Sequence, residues 1–189
     1  MSTAQDGPRR ADAVQNRARI LKIAREAFRE PKEPSMAEIA RRAGMGMATL
    51  YRHFPGRLEL LTELYRGEID DLCQAAATAA GDTPGERLLS WLATFHDVGA
   101  RKGPLASLLV GGPADGEHVV TGSRARVRRA GKPLLLAAQN SGEVRTDITI
   151  RQILDAIAAL GQIADGPTTS RAIEVFFDGL LTTRSTASR

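Results

Sequence analysis

The sequence has one cysteine, Cys73, so it can form no internal disulfide and no cysteine-rich metal site. A single cysteine is typical of proteins in a reducing compartment, and we expect a cytoplasmic location. No run of about 18 consecutive apolar residues is present, and no apolar segment follows the charged N-terminus. The sequence therefore predicts neither a membrane span nor a signal peptide.

Motifs for chemistry are also missing. The three histidines, His53, His96 and His118, lie far apart, and no spacing of His, Cys or carboxylate residues is typical of a metal site. There is no phosphate-binding loop, dinucleotide fingerprint or nucleophile motif. We therefore predict no catalytic residues, no metal and no cofactor, and an enzyme of small-molecule metabolism is disfavoured.

Positive charge is concentrated at one end of the chain. Residues 1–66 contain 13 Lys and Arg against 8 Asp and Glu, whereas residues 67–189 contain 13 against 14. With 42% hydrophobic residues, the chain can form one or two domains with a real core. A basic N-terminal third followed by a nearly neutral remainder suggests a polyanion-binding N-terminal region and a second region with another function.

Apolar residues recur almost everywhere at helical spacing, as in Ile20, Ile23, Ala24, Ala27 and Phe28. Alternation typical of strands is absent. We predict an all-α protein with about nine helices, and a polar, flexible arm over residues 1–12.

Residues 35–57 predict two short helices joined by a turn at Gly44. This geometry suits a helix-turn-helix, whose second helix enters a DNA major groove, but an ordinary helical hairpin has the same topology. Arginines cluster in this segment with Thr49, Tyr51 and His53, which are donor types that contact phosphates and base edges. The clustering favours the helix-turn-helix.

Residues 40–57, ARRAGMGMATLYRHFPGR, resemble the DNA-binding signature of the tetracycline-repressor (TetR) family of transcriptional regulators. The core of the resemblance is Thr49–Phe54 with Gly44 five residues before it. Ile20–Phe28 is similar to the first helix of that family. The resemblance extends over about residues 14–66, and beyond them only length and helix count agree.

The resemblance implies roles for the residues of the motif. Thr49, Tyr51 and Arg57 match positions that contact phosphates, Arg57 standing where a lysine is usual. Leu50 and Phe54 match packing positions. The predicted DNA-binding residues are Ser35, Gly46, Met47, Ala48, Thr49, Tyr51, Arg52, His53 and Arg57.

Two positions depart from the family pattern. Gly46 replaces a common serine, and Met47 replaces a common lysine, so two polar contacts are missing. We expect base recognition to shift toward Arg52 and His53, while Met47 and Ala48 contact thymine methyl groups. In the N-terminal arm, Arg9 and Arg10 are candidates for a neighbouring minor groove, although a solvated tail is an equal alternative.

The middle of the chain holds many large apolar residues. An ordinary core explains them, but in the resembling family this region encloses an inducer pocket. The corresponding candidate ligand-binding residues are Trp91, Phe95, His96, Leu105, Leu109, Leu135 and Gln139. The glycine- and proline-rich stretch from Gly103 to Gly116 is a candidate for a mobile entrance.

The last two predicted helices are apolar on more than one face, which implies a partner beyond the protomer's own core. A two-fold four-helix interface, as in the resembling family, provides that partner. The candidate interface residues are Ile153, Ile157, Leu160, Gly161, Val175, Phe176, Gly179 and Leu180.

Together these observations predict a DNA-binding domain over residues 13–57 and a ligand-binding and dimerisation domain over residues 58–189. The expected function is that of a homodimeric regulator of double-stranded operator DNA, a repressor that a small, mainly apolar effector releases. The alternative is a helical interaction protein, or a small-molecule-binding module without inducible DNA release. No membrane partner is expected.

Overall fold

The computed structural model describes residues 6–30, 32–110, 114–162 and 166–182, and within these ranges every regular element is a helix. The helices are α1 Asp6–Ala27, α2 Met36–Arg42, α3 Met47–His53, α4 Arg57–Ala77, α5 Pro84–Val110, α6 Ala114–Asn140, α7 Ile150–Leu160 and α8 Gly166–Leu180. An isolated antiparallel bridge joins Val144 to Leu181. The predicted all-α class is confirmed.

The arm predicted over residues 1–12 is wrong from Asp6 onward, because α1 begins there. Pro8 lies in the first turn of the helix, where backbone N–H groups have no intrahelical partner and a missing donor costs little. The following arginines and alanines have high helix propensity. Residues 1–5 of the predicted arm lie outside the described ranges.

Most of the predicted entrance loop is helical, because α5 continues to Val110 and α6 begins at Ala114. Leu105 and Leu109, one turn apart, are buried at 5% and 0% exposure in the last part of α5. At Gly116 in α6, an added Cβ would collide with the carbonyl oxygen of Leu109. Glycine here allows close backbone approach rather than loop mobility. Residues 111–113 of the predicted loop lie outside the described ranges.

Contacts divide the chain into two compact units. The first contains the described residues up to Gly67 together with Leu105–Glu117, and the second contains Glu68–Pro104 and the described residues from His118 on. The division falls inside α4, ten residues after the domain boundary predicted at residue 57.

The first unit has a core that α1 to α4 share. Its buried members are Ile20, Ala24, Ile39, Ala40, Ala43, Leu50, Phe54, Leu60 and Leu64. Because these side chains come from all four helices, their burial fixes the short helices α2 and α3, which are too short to be stable alone.

Candidate DNA-binding site

The turn between α2 and α3 is a Schellman motif, which fixes how the two helices follow each other. Gly44 has φ of +65°, and its N–H donates to the carbonyl of Arg41 at 3.1 Å. The N–H of Met45 donates to the carbonyl of Ala40 at 2.9 Å. These two bonds satisfy carbonyls that the end of α2 would otherwise leave without partners.

The helix α3 is anchored by two buried side chains, as predicted. Leu50 is 0% exposed and Phe54 is 1% exposed. The guanidinium of Arg17 in α1 lies 4.7 Å from the centre of the Phe54 ring and donates to Glu63 of α4 at 3.2 Å. Arg17 was not predicted, because its 37 positions of separation from Phe54 leave no local pattern in the sequence.

The opposite side of α3 is open to solvent. Met47 and Tyr51 are 38% and 45% exposed, and Ala48 and Arg52 are exposed as well. An apolar contact surface, a phenol hydroxyl and a cation thus occupy one helical surface, where they can meet thymine methyls, phosphates and guanine edges.

Three other predicted residues are half-buried or engaged in backbone contacts. Thr49 and His53 are half-buried. At the start of α3, Gly46 is the N-cap in an extended conformation and provides no side-chain cap. Its carbonyl accepts from Thr49 N–H at 3.0 Å and Leu50 N–H at 3.1 Å.

At the start of α2, Ser35 and Glu38 form only one half of a capping box. The Ser35 hydroxyl accepts from the Glu38 N–H at 3.1 Å. The Glu38 carboxylate accepts instead from Arg42 Nε at 3.0 Å. Ser35 therefore caps α2 and keeps its own hydroxyl proton available for a further contact.

The four arginines of residues 41–57 divide into two kinds. The Arg41 side chain is 75% exposed and lies 3.9 Å from Glu38, and Arg52 is exposed and forms no ion pair with any described residue. Arg42 and Arg57, in contrast, are each held by carboxylates. Arg41 was not among the predicted site residues, although its position beside Arg42 on α2 turns it about 100° away from that neighbour.

Ion pairing shifts the pKa of Glu30 and the pKa of Arg42. Arg42 donates a hydrogen bond to Glu30, and this lowers the pKa of the Glu30 carboxyl. Hydrogen bonds to Glu30 and then to Glu38 raise the pKa of Arg42.

Arg9 and Arg10, the predicted minor-groove residues, belong to the helix α1 and not to a coil. Their side chains are outside the described part of the structure.

The predicted ligand-binding residues are distributed over both units. Leu105 and Leu109 belong to the first unit, whereas Trp91, Phe95, His96, Leu135 and Gln139 belong to the second. The candidate set therefore does not form a single site within either unit.

Within the second unit, the aromatic and polar candidates have different surroundings. Trp91 is 1% exposed and donates from its indole N–H to the carbonyl of Leu72 at 3.1 Å. Its ring lies 6.4 Å from that of Phe95. Gln139 donates to the carbonyls of Arg145 at 2.9 Å and Ile148 at 3.0 Å, so it holds the turn before α7.

His96 is the exception among these polar groups. Its side chain is 19% exposed, and Nδ1 lies 3.7 Å from Asp97. Nε2 is buried and has no hydrogen-bond partner among the described residues. A buried ring nitrogen without a partner is costly, so His96 differs from Trp91 and Gln139, whose polar atoms have partners within the second unit.

Three of the predicted dimer residues are core residues of the protomer. Ile153, Ile157 and Leu180 have exposures of 0%, 1% and 1%. They face inward because α7 and α8 use these positions to pack within the second unit. Val175 is 54% exposed and Gly179 is exposed, and Phe176, Leu160 and Gly161 are half-buried.

No helix in the described ranges is long and apolar enough to cross a membrane. No cluster of three or more potential metal ligands occurs among the same residues.

Two family models match the chain. The model described as "Bacterial regulatory proteins, tetR family" matches residues 20–64, and "Transcriptional regulator SbtR-like, C-terminal domain" matches residues 83–182, more than half of the chain. The first match contains the helix-turn-helix, and the second contains most of the second unit.

Solved structures agree along nearly the whole length. A TetR transcription regulatory protein from Mycobacterium vanbaalenii is 34% identical, with a TM-score of 0.72 over 92% of this chain and 99% of that chain. TetR transcriptional regulator SCO0520 from Streptomyces coelicolor is 32% identical, with a TM-score of 0.73 over 88% and 99%. An HTH-type transcriptional regulator of Staphylococcus aureus is 47% identical over 53 residues, which span 27% of this chain and 29% of that relative.

The fold and the solvent-exposed side of α3, the second helix of the motif, define a helix-turn-helix protein. The chain belongs to the TetR family of bacterial transcriptional regulators, which are transcription factors rather than enzymes.

Proposed function

We propose that this protein is a repressor that binds a pseudo-palindromic operator as a homodimer and is released by a small, mainly apolar ligand. Two copies of α3 would read successive major grooves about 34–36 Å apart. Operator binding is a cytoplasmic task, which agrees with the location expected from the cysteine content.

The observation that carries this proposal is the exposed side of α3, a helix that the buried side chains of Leu50 and Phe54 anchor to the core. In the proposed complex, Arg52 reads base edges, with His53 beside it. Met47 and Ala48 contact thymine methyls, and Tyr51 donates to a phosphate. The hydroxyl groups of Thr49 and Ser35 add contacts to the phosphate backbone of the DNA.

Footprinting of the purified protein on DNA upstream of its own gene tests the proposal and yields the operator. Arg52→Ala is expected to reduce the preference for that operator over a base-substituted duplex by about 5- to 150-fold, the discrimination lost with one bidentate contact. Arg124→Ala is the control, because Arg124 is an exposed arginine of the second unit. A wild-type protein without salt-sensitive DNA binding would favour a helical interaction protein instead.

The proposed dimer uses the exposed side of α8. Val175 is the most exposed apolar candidate, and the half-buried Phe176 follows it in the helix, whereas Ile153 and Ile157 are buried in the protomer. Exposed apolar residues on a helix that also packs inward are what a second copy of the chain would cover.

The proposed ligand contacts are narrowed to Trp91, Phe95 and His96 in the second unit. A ligand that accepts or donates one hydrogen bond would satisfy His96 Nε2, and its apolar part would lie against the two rings. Moving a population from 99:1 to 1:99 requires a preference of about 5.5 kcal/mol for the released state.

A panel of small apolar compounds tests this part of the proposal. Binding is expected to change the emission of Trp91, the only tryptophan, over the same concentrations that weaken operator binding, because linkage makes the two effects reciprocal. His96→Phe should reduce ligand affinity and leave operator affinity unchanged. Compounds that bind without releasing DNA would favour a small-molecule-binding module without inducible release.

A further inference from the structure

The segment between α1 and α2 is held to the start of α4 by Arg57. Its Nη1 donates to the carbonyl of Pro34 at 2.5 Å, and its Nη2 donates to Glu33 Oε2 at 2.9 Å. The guanidinium also lies 5.0 Å from the centre of the Phe28 ring. One side chain thus contacts an anion, a backbone carbonyl and an aromatic ring of the same segment.

Arg42 holds the other side of that segment. It pairs with Glu30, donating from Nη1 and also from Nη2 at 2.8 Å, and with Glu38 of its own helix at 2.5 Å. Because Glu38 lies closer to Arg42 than to Arg41, the Arg41 charge is left largely uncompensated.

We propose that Arg42 and Arg57 are positioning residues that fix the described residues of the segment between α1 and α2, and that Arg41 and Arg52 are the arginines that contact DNA. This inference rests on the proposed operator binding. It removes Arg57 from the phosphate contacts that the family resemblance implies, and adds Arg41 to the DNA-binding residues.

The residue type suits the positioning role proposed for Arg57. A lysine ammonium is a point charge that serves a phosphate well, whereas the planar guanidinium can donate two directed hydrogen bonds and stack on a ring at once. Arg57 performs both tasks within the chain. The N-terminus of α4 is further covered by the Glu59 carboxylate, since a Cβ added at Gly56 would lie 2.7 Å from Glu59 Oε2. A phosphate at this position would therefore meet two carboxylates.

Positioning affects DNA binding through Ser35. This residue ends the clamped segment and caps α2, so loosening the segment reduces the fraction of molecules with α2 and α3 correctly placed. The apparent dissociation constant rises by the reciprocal of that fraction at every salt concentration. Loss of a phosphate contact acts differently, because it lowers the slope of log Kobs against log[salt] by roughly 1.

The test compares operator affinity across salt concentrations for Arg57→Gln and Arg41→Gln, a matched pair of charge removals, using the footprinted duplex. Measurements are made far below the unfolding midpoint, with circular dichroism confirming that each variant is folded. Arg57→Gln should lower affinity by roughly 3- to 10-fold with an unchanged slope, as loss of a half-exposed ion pair and ring contact predicts. Arg41→Gln should lower the slope by roughly 1.

Two further variants separate positioning from phosphate binding. Arg57→Lys keeps the charge and should still lose affinity, whereas a phosphate contact would be preserved. Glu33→Gln should also weaken binding, and Glu33→Gln with Arg57→Gln should cost no more than Arg57→Gln alone.

A lower slope for Arg57→Gln, full affinity of Arg57→Lys, or tighter binding by Glu33→Gln would each overturn the inference while the proposed function stands. A wild-type chain that binds no DNA would overturn both.

Discussion

Replacing Gly44 by alanine tests the geometry of the turn that orients α3. Gly44 has φ of +65°, and no atom lies within 4 Å of an added Cβ, so the substitution changes backbone strain without a steric clash. A non-glycine residue in this conformation costs roughly 1–2 kcal/mol. The reduced freedom of the unfolded chain offsets about 0.4–1 kcal/mol of that cost. We expect a net loss of about 1 kcal/mol in unfolding free energy.

The matched control is Gly122→Ala. Gly122 lies inside α6 and also has open space at Cβ, but its φ is not in the left-handed region. There alanine should stabilise by roughly 0.5–1 kcal/mol, so the two variants should shift in opposite directions. Urea unfolding at one fixed protomer concentration measures both, because the proposed dimer would make stability concentration-dependent.

Operator binding provides the second readout for this turn. Gly44→Ala should weaken operator binding while Gly122→Ala does not, and Gly44→Asn should lose less than Gly44→Ala because asparagine tolerates this conformation better. Equal stability of Gly44→Ala and the wild type would refute the argument from backbone strain.

Three other substitutions probe separate features. Gly131→Ala should destabilise by about 1–3 kcal/mol and change tryptophan emission, because its Cβ would collide with the Trp91 ring; a wild-type emission spectrum and urea midpoint would contradict this packing. Val175→Arg should sediment as a monomer and lose most of its operator affinity, whereas Ser170→Arg, whose side chain lies about 140° away around α8, should remain dimeric. A folded Val175→Arg dimer would place the interface elsewhere. Glu30→Gln should reduce the free energy of unfolding above pH 4.5, because the hydrogen bond from Arg42 lowers the pKa of Glu30 from that value. The difference from wild type should vanish as the pH falls through the lowered pKa, and a difference that persists in acid would exclude the ion pair as its cause.

Local patterns in the sequence were enough to predict the helix-turn-helix. The buried positions Leu50 and Phe54 follow helical spacing, and Gly44 stands where a helix must end in a left-handed conformation. Thr149 and Gln152, three positions apart as in a capping box, form both of its hydrogen bonds. Each of these features depends on residues within a few positions of one another.

Features that depend on distant residues could not be predicted. The pairing of Arg57 with Glu33 joins positions 24 apart, and only the fold brings them together. The same reason explains why Gly116 suggested a loop, since the close approach of Leu109 that requires glycine is not visible in the sequence. For Ile153 and Val175, spacing shows that both lie on apolar surfaces but not which surface faces the protomer's own core.

The helix α4 has a consequence for engineering, because the division between the two units falls at Gly67 and Glu68, inside an unbroken helix. Leu60 and Leu64 are buried on one side of this point, and Ile69 and Leu72 on the other. Inserting one residue at the division would turn one pair about 100° relative to the other, whereas seven residues would restore the angle to within about 20°. Chimeras that exchange the second unit should therefore be joined in helical phase, and joints out of phase should bury the wrong face of α4.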